Sequence, residues 1–346
     1  MSLFLISLFF ICLFGLSFRL YQSDYLSISQ TTSVKGIFTL LIFLSHAKGY
    51  CIIPPSDLGI KFLSFLGQMV VVMFFFYSGF GIMKQYKDRG KTYLTAFPKN
   101  RIFKLLVHFD LAVLLYLIVQ TLLGNYFPFS YYVLCWIGWA SIGNSCWFIF
   151  DMIILYVIIY CSLYIANRWA VSISVSVVIL FTFTFLFWLL LRCIKTSDTY
   201  WYNTLIAFPL GAAYSQIHLR IDSFHERYSK PFAIIVMFVI VVWVVMRKRL
   251  GIDSYGLSSS LFALIVVGVT SFISIDNSIL RWLGRNCFYI YILQRLPMIL
   301  LSYLGLNHNP SVFIICAFVF TALIAECFSR LTRRLDNVFL LEFRQK

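Results

Sequence analysis

Eleven apolar runs follow one another along this chain, near residues 3–20, 34–53, 62–83, 103–123, 146–166, 169–191, 201–217, 231–246, 257–275, 286–304 and 311–329. A helix that crosses a bilayer needs about 20 apolar residues, and its backbone must satisfy its own hydrogen bonds. The succession therefore predicts an all-α polytopic membrane helix bundle of about eleven transmembrane helices. At ~20 residues each, eleven spans occupy close to two thirds of the 346 residues. Only loops and a short tail remain, so any chemistry must sit among the membrane helices. Composition agrees: 61% of residues are hydrophobic and 12% charged, against about 25% charged in soluble proteins. A soluble enzyme, a disordered chain and a disulfide scaffold are excluded.

Local signals refine the plan. The run from Leu3 to Leu20 has no positive residue before it and no small-residue cleavage site after it. It reads as a retained first span rather than a signal peptide. Only Asn167 and Arg168 separate the fifth and sixth runs, which implies a tight helical hairpin. The stretch from Tyr131 to Ser145 is short, contains Gly138 and Gly143, and suits a re-entrant or interfacial segment. The nine cysteines show no CxxC and no neighbouring His cluster, so no metal site is expected. Cys12, Cys161 and Cys316 lie in apolar runs, where cysteine behaves as a small hydrophobe.

The net charge of +15 has a topological reading. Lys84, Lys87, Arg89, Lys91, Lys99, Arg101 and Lys104 all fall between the third run and the start of the fourth. If that loop is cytoplasmic, alternation puts roughly 20 of the 28 basic residues on the same side, as the positive-inside rule expects. The C-terminus is then cytoplasmic and the N-terminus outside. Arg247, Lys248 and Arg249 land on the wrong side, to be explained by snorkelling or by a miscounted span. The basic excess thus points to a lipid bilayer and not to nucleic acid.

Ionisable residues inside spans are suspects for function. Lys35 and His46 lie on the second run, and eleven residues at 100° each amount to about three turns. Lys35, Thr39, Ile42 and His46 therefore share a face, with Lys35 and His46 about 16 Å apart along the axis. Histidine can take a proton from a hydroxyl nucleophile near neutral pH. Alternatively His46 is a packed, hydrogen-bonded histidine and Lys35 an interfacial anchor. In Asn144-Ser145-Cys146-Trp147-Phe148-Ile149-Phe150-Asp151, Asp151 sits one turn from Trp147. Asp151 can orient His46, or it can form a structural ion pair with Arg295 or another base. Tyr291, Gln294 and Arg295 share a third polar cluster, where the guanidinium can bind phosphate or carboxylate in bidentate fashion. His108 and Asp110 read as near-interface residues, and His218 and His225 as solvated.

Five stretches in order, VKGIFTLLIFLSH (34–46), FFFYSGFGI (74–82), KNRIFKLL (99–106), NSCWFIFDMIILY (144–156) and LGRNCFYIYILQ (283–294), resemble the acyltransferase-3 family of integral membrane proteins. FPLGAAYS (208–215) is similar to a turn of that family, and the resemblance covers about residues 31–330. It implies a core of about ten helices at 31–330, an extra N-terminal transmembrane helix within 1–30, and a basic cytoplasmic tail at 331–346. It also implies a bacterial inner-membrane enzyme that moves an acyl group, most often acetyl, from acyl-CoA to a carbohydrate acceptor of the envelope. In the family a basic residue, often Arg, precedes a His on the same helix. Lys35 and His46 match that pattern, which implies donor binding by Lys35 and general-base catalysis by His46. Arg101 and Lys104 correspond to a basic pair placed near the CoA phosphates. Gln294 stands where many relatives have His, so that residue's role does not carry over.

Together these expectations describe a membrane O-acyltransferase with His46 and Asp151 as catalytic groups and Lys35, Arg101 and Lys104 on the donor. Asn144, Trp147, Tyr291, Gln294 and Arg295 form the acceptor or structural pocket. Acyl-CoA acts as a substrate, with no tightly bound cofactor. A glycan or lipid-intermediate transporter without chemistry is the competing reading; it needs a polar path but no base at depth.

Overall fold

The computed structural model describes residues 1–250 and 255–342, without the side chains of 255 and 338–342. Its helices are α1 (Ser2–Leu13), α2 (Ile28–Ala47), α3 (Leu58–Leu66), α4 (Met69–Phe97), α5 (Lys104–Leu122), α6 (Phe129–Trp136), α7 (Trp147–Arg168) and α8 (Ile173–Ile194). They continue with α9 (Ala207–Arg227), α10 (Ser229–Leu250), α11 (Tyr255–Thr270), α12 (Ser278–Arg285), α13 (Cys287–Leu293), α14 (Arg295–Tyr303) and α15 (Pro310–Glu342). Two three-residue strands, β1 (Leu16–Phe18) and β2 (Ile273–Ile275), pair antiparallel with Ser17 opposite Ser274. Among the described residues, α2, the continuous run 58–122, α7, α8, α10 and the 310–337 part of α15 are long and apolar enough to cross a membrane. The run 58–122 covers two of the expected spans. The helical hairpin at 146–191 forms as α7 and α8, with Ala170 at φ +51 in the turn.

The first run departs from expectation. It does not form a single helix over 3–20 but a 12-residue helix followed by β1. At 1.5 Å per residue α1 is about 18 Å long, short of the ~30 Å hydrocarbon core. Asn277 accounts for the stop. Its amide donates to the carbonyls of Ile11 (2.8 Å) and Phe14 (3.1 Å), and its Oδ1 caps α12 by accepting from Ile279 and Leu280. Gly15 at φ +73 packs against the Asp276 carbonyl too closely for any side chain.

Two glycine seams hold the interior. Gly36 on α2 lies against the Leu280 carbonyl, and Gly284 on α12 against that of Thr32. Gly79 on α4 and Gly211 on α9 meet the carbonyls of Phe208 and Phe76 in the same reciprocal way. A Cβ at any of the four would overlap backbone. In a bilayer, where lipid is as apolar as the helices, such close backbone approach drives association. Polar bonds reinforce the first seam: Gln30 Oε1 accepts from Ile275 (2.8 Å) and Ser33 Oγ donates to the Ile275 carbonyl (3.1 Å).

Near the ends of the bundle the charges find helix partners. Arg247, the misplaced cation, is on α10 and its Nη2 donates to the Phe65 carbonyl at 2.7 Å. Phe65 is in the last turn of α3, whose carbonyls lack helical partners. The tail expected at 331–346 is not separate, because α15 runs on to Glu342; residues 343–346 lie outside the described residues. His225, expected in water, is buried: its Nε2 bonds the Leu20 carbonyl at 2.9 Å and its ring stacks on Phe232 at 4.1 Å.

Candidate active site

The α2–α12 seam fixes where the candidate residues meet. Ser27 caps α2 by accepting from Gln30 N–H (3.2 Å), and Ser27, Thr31, Lys35, Thr39 and Ile42 then descend one face into a cavity of about 580 Å³. The helical face expected from the 100° spacing is thus realised for three of its four members. Lys84 and Gln85 from α4 and Arg101 from the π-helical turn Pro98–Phe103 join Lys35 around the wall. Phe148, Ile149, Met152, Tyr291 and Gln294 line the region contributed by α7 and the α13–α14 junction. The cavity therefore combines three cations with an apolar and phenolic region built from other helices.

His46 is one turn beyond Ile42 and outside the lining. Its ring lies 6.2 Å, centroid to centroid, from Tyr291, which does line the cavity. Its Nδ1 is buried and without a hydrogen-bond partner. A packed histidine normally has its nitrogens satisfied; this one finds no partner among the described side chains and backbone. The Tyr291 hydroxyl and Gln294 Oε1 are likewise buried without partners. Rings continue outward from this point: Tyr291 to Phe148 at 5.3 Å, Phe148 to Trp147 at 6.0 Å and Trp147 to Tyr200 at 5.8 Å. Tyr200 is 37% exposed and brings the series to the surface.

Asn144 and Ser145 sit in the turn before α7, where Gly143 at φ +101 approaches Ile299 of α14. Asn144 Oδ1 accepts from Ile142 N–H at 3.1 Å, while its Nδ2 and Ser145 Oγ are buried and unpaired. Arg295 Nε is buried and unpaired as well.

Two expected contacts are not made. Asp151 is fully buried, yet neither of its carboxyl oxygens has a hydrogen-bond partner, and neither reaches His46 or Arg295. It comes within electrostatic range of Tyr291 instead. Lys104 is absent from the cavity wall; its Nζ pairs with Asp336 Oδ2 at 2.5 Å, and the same carboxylate meets His108 Nε2 at 3.0 Å. The continuation of α15 delivers that carboxylate. His108 is accordingly buried within the protein.

The family model of the acyltransferase domain, acyltransferase-3, matches residues 32–330. The chain belongs to the acyltransferase-3 family. The matched span begins within α2 and ends on α15, so it takes in both glycine seams and all of the cavity wall except its rim at Leu26, Ser27, Ile28 and Thr31. It is a membrane acyltransferase, with its long apolar helices forming the bundle around the site. No curated protein and no solved structure matches the chain.

Within this acyltransferase-3 bundle the sequence reading missed Ser27, Thr31, Lys84 and Gln85 as cavity residues and Tyr200 as its aromatic outpost. Ser27-Ile28-Ser29-Gln30 carries a readable helix-start signature. Lys84 was one of seven similar cations in its loop, with nothing in the sequence to single it out. For Tyr200 no local signal exists, since it acquires meaning only from Trp147 across the bundle.

Proposed function

We propose that the protein is an O-acyltransferase that takes an acyl group, acetyl by preference, from acyl-CoA and places it on a hydroxyl of an envelope or exported polysaccharide. The observation that carries this reading is the 580 Å³ cavity, which has Lys35, Lys84 and Arg101 in its wall and Tyr291 against His46. CoA is a phosphate-rich donor, and Lys and Arg bind phosphate through charge-assisted bonds. In this assignment the cationic wall holds the donor from the cytoplasmic face of a bacterial inner membrane, and the thioester points toward Tyr291. Lys104 belongs to the support of this wall through Asp336 rather than to donor contact.

The acceptor approaches past Tyr200 and Trp147 toward Asn144, Tyr291, Gln294 and Arg295. His46 removes the hydroxyl proton as the oxygen attacks the thioester carbonyl. The tetrahedral intermediate collapses, the C–S bond breaks, and the proton held by His46 passes to the departing CoA sulfur. In this reading the buried, unpaired Tyr291 hydroxyl donates to the developing charge on the carbonyl oxygen. The surrounding aromatic packing excludes water, which otherwise competes with the acceptor.

The test is His46→Ala in membranes, with ester analysis of surface glycans. Loss of the ester with the polymer still present supports the reading. Normal acylation sinks it. Loss of the whole polymer from the surface points to transport instead.

A further inference from the structure

Arg295 has a cation's surroundings without a cation's partner. Among the described residues no Asp or Glu forms an ion pair with it, and its Nε is buried with no acceptor. The groups that gather around it carry no negative charge, and the His46 ring is among them. The hydroxyls of Tyr50, Tyr116, Tyr200 and Tyr291 are all within electrostatic range of the guanidinium, as is the Cys146 thiol. The four tyrosines come from four separate stretches, the segment after α2, α5, the turn before α9, and α13, and Cys146 from the turn before α7. Leaving a buried guanidinium N–H without an acceptor in an apolar bundle is costly, and such groups ordinarily pair or serve a ligand. Asp151 lies close enough to sense Tyr291 but makes no bond to Arg295.

We infer that Arg295, with no carboxylate partner and an unpaired buried Nε, holds an anionic substituent of the acceptor, so that the acylated glycan is an acidic one. The inference rests on the acyltransferase reading above and names the substrate class of that same site. A carboxylate or phosphate fits the planar guanidinium in bidentate fashion. Phenol hydroxyls supply further donors to the anion without competing for the cation, as a carboxylate side chain would. Tyr200 and Trp147 then offer ring faces to the sugar carrying the charge. Because Arg295 is one helical turn from Tyr291, a charge held there sets the sugar's hydroxyl near His46. The guanidinium thereby selects which hydroxyl is presented.

The experiment uses the full chain in detergent or nanodiscs. Methyl β-glucuronoside, glucose 6-phosphate and methyl β-glucoside are titrated by saturation-transfer NMR, and acetyl-CoA binding is measured in parallel. One or both anionic probes should bind at least about tenfold tighter than the neutral glucoside, the scale of a charge-assisted bond. The preferred probe identifies carboxylate or phosphate. Arg295→Gln should remove that preference and Arg295→Lys should keep part of it, with acetyl-CoA affinity preserved. Equal affinity for all three sugars, or a preference that survives Arg295→Gln, overturns the inference. So does a loss of acetyl-CoA binding in Arg295→Gln, which would place the guanidinium on the donor. None of these results touches the acyltransferase reading, which stands or falls with His46→Ala and the surface ester.

Discussion

Helices α2 and α10 are nearly equal in length, 20 and 22 residues, and both are apolar enough to cross a bilayer. They sit in opposite surroundings: 61% of the best window of α2 is buried inside the protein, against 11% for α10. The less apolar helix is the interior one. α2 carries Gln30, Thr32, Ser33, Lys35, Gly36, Thr39 and His46, whereas α10 turns Ile234, Met237, Phe238 and Val241 outward. In water the rule runs the other way, with apolar residues inside. In lipid, polar and small residues mark the side of a span that faces protein. Substitutions that exchange the two patterns test this contrast.

The largest effect is expected on the α2 seam. At Gly36 even a Cβ overlaps the Leu280 carbonyl, so Gly36→Leu must part α2 from α12 and carry His46 away from Tyr291. Overpacking a core by a few methylenes costs about 1–3 kcal/mol, and a backbone clash that no rotamer relieves should exceed that range. Thermal unfolding in detergent should show a collapse of the folded fraction for Gly36→Leu, and likewise for Gly284→Leu on the facing helix. A melting temperature within a few degrees of the parent, about 1 kcal/mol or less, would break the comparison, because the interior helix would then tolerate what only a lipid-facing helix should.

Next in size comes chemistry without loss of fold. His46→Ala should lower acyl transfer by roughly 10²–10⁴, the usual contribution of a general base, while the protein still unfolds near the parent temperature. A matched fall in stability would make His46 a packing residue after all. Asp151→Asn is the companion variant. With no hydrogen bond between Asp151 and His46, it should change turnover far less than His46→Ala does, and a comparable loss would restore the orienting role expected from the sequence.

These two residues show what the sequence could reveal. Lys35, Thr39 and Ile42 share a face because helical periodicity is local and fixed by 3.6 residues per turn. The spacing predicted that face, and all three line the cavity. The membrane bundle was legible for a similar reason, since long apolar runs have few other solutions. Partners across the bundle were not legible. Lys104 carries the same charge and the same family position whether or not Asp336 reaches it, and only the continuation of α15 past the apolar run decides the matter. The break after α1 was hidden too, because its cause, Asn277, lies more than 260 residues away in sequence. The tyrosines around Arg295 are scattered over four elements and show no pattern until the helices close.

The contrast between Lys35 and Lys104 gives a smaller, sharper effect. One charge-assisted bond to phosphate contributes about 1.5–3 kcal/mol, so Lys35→Ala or Arg101→Ala should raise KM for acyl-CoA roughly 10- to 100-fold. Lys35→Arg should be mild. Lys104→Ala should leave KM within about twofold, since its ammonium is engaged by Asp336. Equal increases for Lys35→Ala and Lys104→Ala would return Lys104 to the donor site.

The smallest effect belongs to α10. Phe238 is 67% exposed along a helix with little protein around it. In a soluble protein, trimming an exposed Phe removes little, and surface changes stay within about 0.5 kcal/mol. For Phe238→Leu in a bilayer the same near-neutrality is expected, because lipid tails replace the lost ring contacts at similar packing. Phe238→Asn is different in kind, since it sets an unpaired amide against hydrocarbon. It should lower the amount of protein inserted in membranes while leaving transfer per inserted molecule unchanged. Insertion is measured by the membrane-fraction yield and transfer by acyl release from the same sample. A Phe238→Asn protein that inserts normally and transfers slowly would mean that α10 touches the site, and the division between an interior α2 and a lipid-facing α10 would fall.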